Sequence, residues 1–370
     1  MSGRTLFSGG TVLTMTGKPT DAVLVEDGRI VAAGDAATLS DRAGASAKRV
    51  DLAGATLMPG LVDAHPHLLH FSSLALGTCQ LFDARDHEDI VTRIRNHCAI
   101  LPPGMWALCS PVGEPHYFLR RSWRDLAEGV LPDRHVLDRA APDRPVLIQA
   151  WAPVTPNIAV LNSAALREAG ITSETPDKVA GVTIVKDAAG EPTGHLEGPV
   201  NNYYTDDPFW LSIMAHVGAP PDWLWEAGAL AGLAAYNALG VTAGYESHAM
   251  EPAHIEAYRK IRGDGALTMR IAATMDAADL AFDPTKVPDE ASLLARLDLA
   301  KSWEEKRDPL FRFNGITLSR GGPCWPGYLR QNAPYPGPDG TLTSGKTFMP
   351  HEAEMLVVRY CLDHDLRFNM

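Results

Sequence analysis

Met58-Pro59-Gly60-Leu61-Val62-Asp63-Ala64-His65-Pro66-His67 is the stretch on which the reading of this chain turns. A short apolar run, Leu61-Val62, leads into two histidines at i and i+2. On a strand, side chains two apart project from one face, so both imidazoles can reach a single metal ion. The spacing alone carries little weight, because 13 His in 370 residues supply about 0.5 such pairs by chance. Position adds to it. The pair closes an apolar strand that starts just after a β-rich segment, and strand C-termini are where parallel α/β barrels keep their ligands.

Working outward, residues 4–58 read as short strands with tight turns: TLFSGG, TVLTMTG, DAVLVEDGRIVAAG and RVDLAGATLMPG. Asp27-Gly28, between VLV and IVAAG, marks a hairpin, since Asp-Gly supplies the positive φ that a two-residue turn demands. After Leu61 the texture changes. Apolar runs (LVDAH, MWALC, PVLIQA, GVTAGYE, LTMRIAATM, FRFNGITL, LRFNM) alternate with helical patterns, which implies parallel βαβ units. Three helices announce their starts: Asp86 before IVTRIRNHCAIL, Pro221-Asp222 before WLWEAGALAGLAAYNALG, and Pro350 before EMLVVRYCLDH. Two segments resist the pattern, 173–220 and 320–345, and read as long irregular insertions over a functional face.

The net charge of −12 and the absence of clustered Lys and Arg argue against nucleic acid and against a membrane surface as partners. With 45% hydrophobic and 21% charged residues the chain falls in the globular range, which excludes disordered and fibrous classes. Ala227–Val241 is too short and too rich in small residues to cross a bilayer and reads as a core helix. The first fifteen residues lack a secretory pattern, so a cytoplasmic location is expected. Five cysteines with wide spacings and no CxxC point to buried thiols rather than a disulfide framework or a thiolate zinc cluster.

PGLVDAHPHL resembles the metal-binding first barrel strand of the amidohydrolase superfamily of metal-dependent hydrolases. LPDRHVLDRAAPDRPVLIQA, VLNSAALREAGIT, GEPTGHLEG and ALGVTAG resemble its long-insert amidohydrolase-3 branch, which includes N-substituted formamide deformylase. The resemblance runs from about residue 5 to the C-terminus. It implies that His65 and His67 hold a divalent metal, zinc by that analogy, which activates water. Asp63 then either accepts an imidazole N–H or solvates the strand end.

The chain also departs from that pattern. Where the branch carries a bridging carboxylated lysine, this sequence has Thr317, and the Asp-Gly-His of relatives aligns with Thr155-Pro156-Asn157. The chain reaches Met370 where the family places its next ligand-bearing strand, so it is expected to be a fragment of a longer polypeptide, or else a degenerate member, and to be poorly soluble or homo-oligomeric when alone. Glu246 and His248, after GVTAGY, are candidate replacement ligands, and Cys324 could offer a thiolate. His195 and Trp325 are candidate substrate contacts. The insertion aromatics Tyr203, Tyr204, Phe209, Trp210 and Tyr328 either line a pocket or pack the core.

The expected fold class is α/β: an N-terminal β-sandwich portion over 1–58, and over 59–370 a partial (β/α)8 TIM-like barrel with long insertions. The expected function is hydrolysis of a small-molecule non-peptide carbon–nitrogen bond (amide, formamide or cyclic amide) by metal-activated water, with weak metal binding and little or no hydrolysis expected of this chain alone. The alternative is a non-catalytic relative that keeps the fold as a binding or assembly module. No GxSxG nucleophile elbow is present.

Overall fold

The computed structural model describes residues 3–113, 120–150, 156–201, 203–280, 285–304, 308–322, 327–337 and 340–370. The chain divides into two compact units, Met1–Val62 with Gly240–Ala243 and Asp63–Leu239 with Gly244–Met370.

The first unit is built on β1 (Arg4–Val12), β2 (Thr20–Glu26), β3 (Arg29–Gly34), α1 (Ala36–Ala43), β4 (Lys48–Asp51) and β5 (Thr56–Leu57). Its sheet runs β3-β2-β1-β4, with β5 also pairing β1. Asp27 and Gly28 both take positive φ (51° and 77°), which gives the two-residue hairpin between β2 and β3 its twist. α1 is capped by Asp35, whose carboxylate accepts from Thr38 N. It buries Leu39 and Ala43 on Leu6, Ala22 and Leu24 of the sheet.

Next along the chain come β6 (Leu61–Asp63), α2 (Leu68–Gly77), α3 (His87–Ile100), β7 (Ala107–Cys109), α4 (Arg134–Asp138), β8 (Val146–Ile148), β9 (Ile158–Leu161) and α5 (Ser163–Glu168). They are followed by β10 (Lys178–Val179), β11 (Val182–Lys186), β12 (Pro192–Glu197) and α6 (Pro208–Val217). Strands β7 to β12 form a sheet of their own, ordered β10-β11-β12-β9-β8-β7. The sequence reading had placed MWALC and PVLIQA in the barrel; as β7 and β8 they belong instead to this insertion sheet. The reason is local. Too few residues separate Ile148 from Ile158 for a crossover helix, so β9 returns antiparallel to β8.

The segment expected to be irregular, 173–220, supplies three strands and a helix. β12 alternates buried and half-buried residues along PTGHLE, and the turn before it closes on Gly190 at φ 83°. None of the described cysteines forms a disulfide.

The remaining elements are α7 (Asp222–Ala238), β13 (Val241–Glu246), α8 (Pro252–Gly263), β14 (Arg270–Asp276), α9 (Glu290–Glu304), β15 (Phe311–Thr317), the short pair β16 (Tyr335–Pro336) and β17 (Leu342–Thr343), α10 (His351–Asp363) and β18 (Phe368–Asn369). Their sheet, β18-β15-β14-β13-β6, is a curled half-barrel in which β14, β15 and β18 run parallel with helices between them. The α/β class, with an N-terminal sheet portion, a partial barrel and long insertions, is therefore the fold of this chain.

α7 closes on Gly240 at φ 78° and packs along α2. The approach is close because Gly228 and Gly232 face Ser73 and Ser72; a Cβ at Gly228 would lie 2.5 Å from the Ser73 Cα. This contact fixes the helix whose first turn carries the candidate site. Among the described residues no helix is long and apolar enough to cross a membrane.

Candidate metal centre

Asp63 ends β6, and its carboxylate holds the turn that follows: Oδ1 accepts from the His65 backbone N at 3.0 Å, and Oδ2 accepts from the Tyr236 hydroxyl at 3.2 Å. Asp63 therefore binds His65 through the main chain, not through its imidazole. His67 is the N-cap residue of α2 and sits in the left-handed region, φ 47° and ψ 36°. A non-glycine residue there is unfavourable and persists only where neighbours over-determine it.

His248 follows β13 and completes a group that the strand pair alone does not make. The His65 Nε2 lies 3.0 Å from the His67 Nε2 and 2.9 Å from the His248 Nε2. The three rings meet edge to face, with centroids 4.3–4.7 Å apart. His65 is exposed, and the other two are half-buried. Ser247 Oγ stands 3.2 Å from the His65 Nδ1 and orients that ring.

Burial, and then the neighbouring imidazole His248, push the His67 pKa down to about 3. Burial and His65 push His248 down to about 4. Both are neutral at pH 7, the form that can donate a lone pair to a cation. Nitrogens bound to one tetrahedral ion at ~2.0–2.1 Å lie roughly 3.3 Å apart, so the rings need spread only a few tenths of an ångström to take one. The donor set fits a borderline divalent ion.

Glu246 does not join the three histidines. It is 1% exposed, and its Oε1 accepts from Leu69 N at 2.8 Å and from the Tyr258 hydroxyl at 2.7 Å. Burial raises its pKa. Thr317, at the position of the expected lysine, is buried in a hydroxyl network: Oγ1 bonds to the Ser247 carbonyl, lies 2.7 Å from Thr274 Oγ1 and 3.2 Å from Asn369 Oδ1. His195 is on β12, with its Nε2 3.0 Å from the Pro132 carbonyl, so it fastens a neighbouring turn. His70 lies inside α2, 3.0 Å from the Tyr203 hydroxyl and stacked on Trp225.

Trp325 and Cys324 lie outside the described residues, as does Thr155. Of the insertion aromatics, Trp210 is a core residue at 1% exposure, with Phe209 packed beside it, and Tyr204 stacks on Phe348. Phe71, which the sequence reading passed over, stands edge-on to His67 at 5.4 Å and is 56% exposed.

Asp276 was also missed. It ends β14 at 4% exposure with its Oδ1 unpartnered and its Oδ2 accepting from Ala249 N at 3.1 Å. Burial first, and Glu251 second, push its pKa up to about 8. The legible signal was a lone acid closing the otherwise apolar run RIAATM.

Comparison with known proteins bears on what this arrangement belongs to. A profile described as "Amidohydrolase family" matches residues 48–326. The chain is 34% identical over 227 residues to YtcJ of Bacillus subtilis, a protein named as an amidohydrolase, covering 57% of this chain and 40% of that protein. It is 33% identical over 178 residues to N-substituted formamide deformylase of Arthrobacter pascens, covering 47% and 30%. These matches span less than half the length of either relative.

Two crystal structures described as uncharacterized metal-dependent hydrolases share the fold. That from Pyrococcus horikoshii gives a TM-score of 0.65 at 17% identity over 99% of this chain and 64% of its own. That from Pyrococcus furiosus gives 0.65 at 18%, over 99% and 66%. With the profile spanning most of its length, the chain belongs to the amidohydrolase family.

Proposed function

We propose that this chain carries the metal centre of an amidohydrolase that cleaves a small-molecule carbon–nitrogen bond other than a peptide bond, such as an amide, formamide or cyclic amide. One observation carries the reading: the Nε2 atoms of His67 and His248 both lie within 3.0 Å of the His65 Nε2. A divalent ion held there, zinc in this reading, would supply Lewis acidity that lowers the pKa of a water toward neutrality and polarises a carbonyl.

The chain's own residues then have distinct parts. The three imidazoles hold the ion through Nε2, kept neutral by burial at His67 and His248. Asp63 fixes the His65 main chain and Ser247 its ring. Phe71, exposed beside His67, offers an apolar wall for the part of a substrate that does not react. The named activity of the Arthrobacter relative supports a formamide as the first substrate to try.

The second reading, a non-catalytic binding module, draws on Thr317, whose hydroxyl is closed into hydrogen bonds where the resemblance expects a metal-bridging lysine. Metal analysis of the purified protein, followed by an assay on N-substituted formamides and lactams, separates the two. One equivalent of zinc, lost in His65→Ala together with turnover, is expected. A chain that binds no divalent ion, or whose turnover survives His65→Ala, overturns the proposal.

A further inference from the structure

We infer that Glu246 is a positioning residue for His67: reaching across from β13, it takes the place of the N-cap side chain of α2 and so leaves the His67 imidazole free to face His65 and His248. The inference rests on the three-histidine reading above and concerns how that group is held.

A helix start leaves several backbone N–H groups without intrahelical partners, and the side chain of the N-cap residue normally accepts from one of them. Several other helices of this protein follow that rule: Asp35, Asp86, Asn162 and Asp207 cap α1, α3, α5 and α6 with their own side chains, whereas α7 and α10 begin after prolines, which offer no side-chain acceptor. At α2 the N-cap residue is His67, and its side chain makes no cap hydrogen bond. Its Nε2 is turned instead to the His65 Nε2 at 3.0 Å. A histidine committed to a site cannot also cap its helix.

Glu246 fills that vacancy from a distant part of the chain. Its Oε1 accepts from Leu69 N, the second helical residue, at 2.8 Å, and it is locked by the Tyr258 hydroxyl at 2.7 Å in a fully buried setting. A carboxylate is the favoured group at a helix N-terminus, where the aligned peptide dipoles present positive charge. The bond also bears on backbone strain. His67 is held in the left-handed region while its carbonyl accepts from Phe71 N at 2.9 Å, and the Glu246–Leu69 bond pins the turn on its other side. The end of β13 thus supplies both a ring of the group, His248, and the carboxylate that aims another ring, His67.

The test uses Co(II), whose visible absorption reports coordination geometry, in the wild type, Glu246→Ala and Glu246→Gln, together with hydrogen–deuterium exchange of the peptide covering residues 67–71. Groups that orient ligands typically contribute 10–100-fold to metal affinity. Glu246→Ala is expected to weaken Co(II) binding at least tenfold, change the spectrum and release the Leu69 amide. Glu246→Gln, which keeps an acceptor at the same reach, is expected to restore all three to near wild type. Wild-type affinity and spectrum in Glu246→Ala overturn the inference while leaving the metal centre intact, and so does a Gln variant that folds but behaves as the Ala one. If the wild type itself binds no Co(II), the metal-centre reading fails. The exchange measurement then still decides: unchanged Leu69 protection in Glu246→Ala overturns the cap. Should the Ala variant not fold, Glu246→Asp, which withdraws the carboxylate by one methylene, carries the same comparison.

Discussion

His65 and His248 are 183 positions apart in sequence, yet their Nε2 atoms lie 2.9 Å apart. The same His65 nitrogen has the His67 Nε2 at 3.0 Å. An imidazole nitrogen has one N–H or one lone pair, so His65 Nε2 can serve only one of these neighbours by hydrogen bonding. A single cation among the three rings satisfies all of them. Removing His248 should therefore cost as much as removing a member of the HxH pair. His248→Ala is expected to weaken zinc binding by two or more orders of magnitude while the melting temperature of the metal-free protein moves little. Isothermal titration with zinc checks this, and undiminished affinity would show that the third ring lies outside the centre.

Acid should destabilise the metal-free protein over a definite window. His70 and His254 are 4% and 3% exposed, and burial holds their pKa values down to about 3 and about 4, against an ordinary 6.5. Between those limits the unfolded chain takes up protons that the folded chain refuses. Stability is then fully present above pH 6.5 and falls as the pH drops toward 4, by about 1.4 kcal/mol per pH unit for each such histidine. Urea midpoints at pH 7, 5.5 and 4.5 should fall in that order.

Asp276 works in the opposite sense. Its folded pKa, pushed up to about 8 by burial, exceeds its ordinary 3.8, so the folded chain keeps a proton that the unfolded chain has lost. Its effect is to lower stability as the pH rises from about 4 through 8. Asp276→Asn, which can still accept from Ala249 N, should raise stability by about 1–3 kcal/mol at pH 8 and by little at pH 4.5. Denaturant melts at the two pH values give the sign; equal effects at both would mean that the carboxyl is not held protonated.

Local rules carried the sequence reading furthest where a few neighbouring residues decide the outcome. Asp27-Gly28 dictated its hairpin, Asp86 its helix start, and Asp63 to His67 the strand and the paired imidazoles. What depended on long-range pairing was not legible. Whether PVLIQA joined the barrel or another sheet was set by the direction of β9, and nothing within the run itself encodes that. Glu246 and His248 both follow the run GVTAGY closely, so both stood as candidate ligands. The chain leaves strand geometry after Glu246, which sends the carboxylate inward to Leu69 and the imidazole outward to His65.

The contact between α2 and α7 yields a prediction whose sign separates packing from propensity. Replacing a mid-helix glycine by alanine should by propensity alone stabilise an exposed helix by up to ~1 kcal/mol. At Gly228 the added Cβ would lie 2.2 Å from the Ser73 Oγ, 2.5 Å from its Cα and 2.7 Å from its N, and two of these are backbone atoms that cannot rotate away. α2 must shift, and with it the first turn that holds His67. Gly228→Ala should therefore destabilise the protein by about 1–3 kcal/mol, the range for overpacking a tight interface, and weaken metal binding in parallel. Gly263, at the end of α8, has nothing within 4 Å of the same added atom and no positive φ. Gly263→Ala should be neutral or slightly stabilising and leave metal affinity unchanged. Urea unfolding and zinc titration of the two variants side by side decide the matter: if Gly228→Ala behaves as Gly263→Ala does, the glycine contact does not set the position of α2.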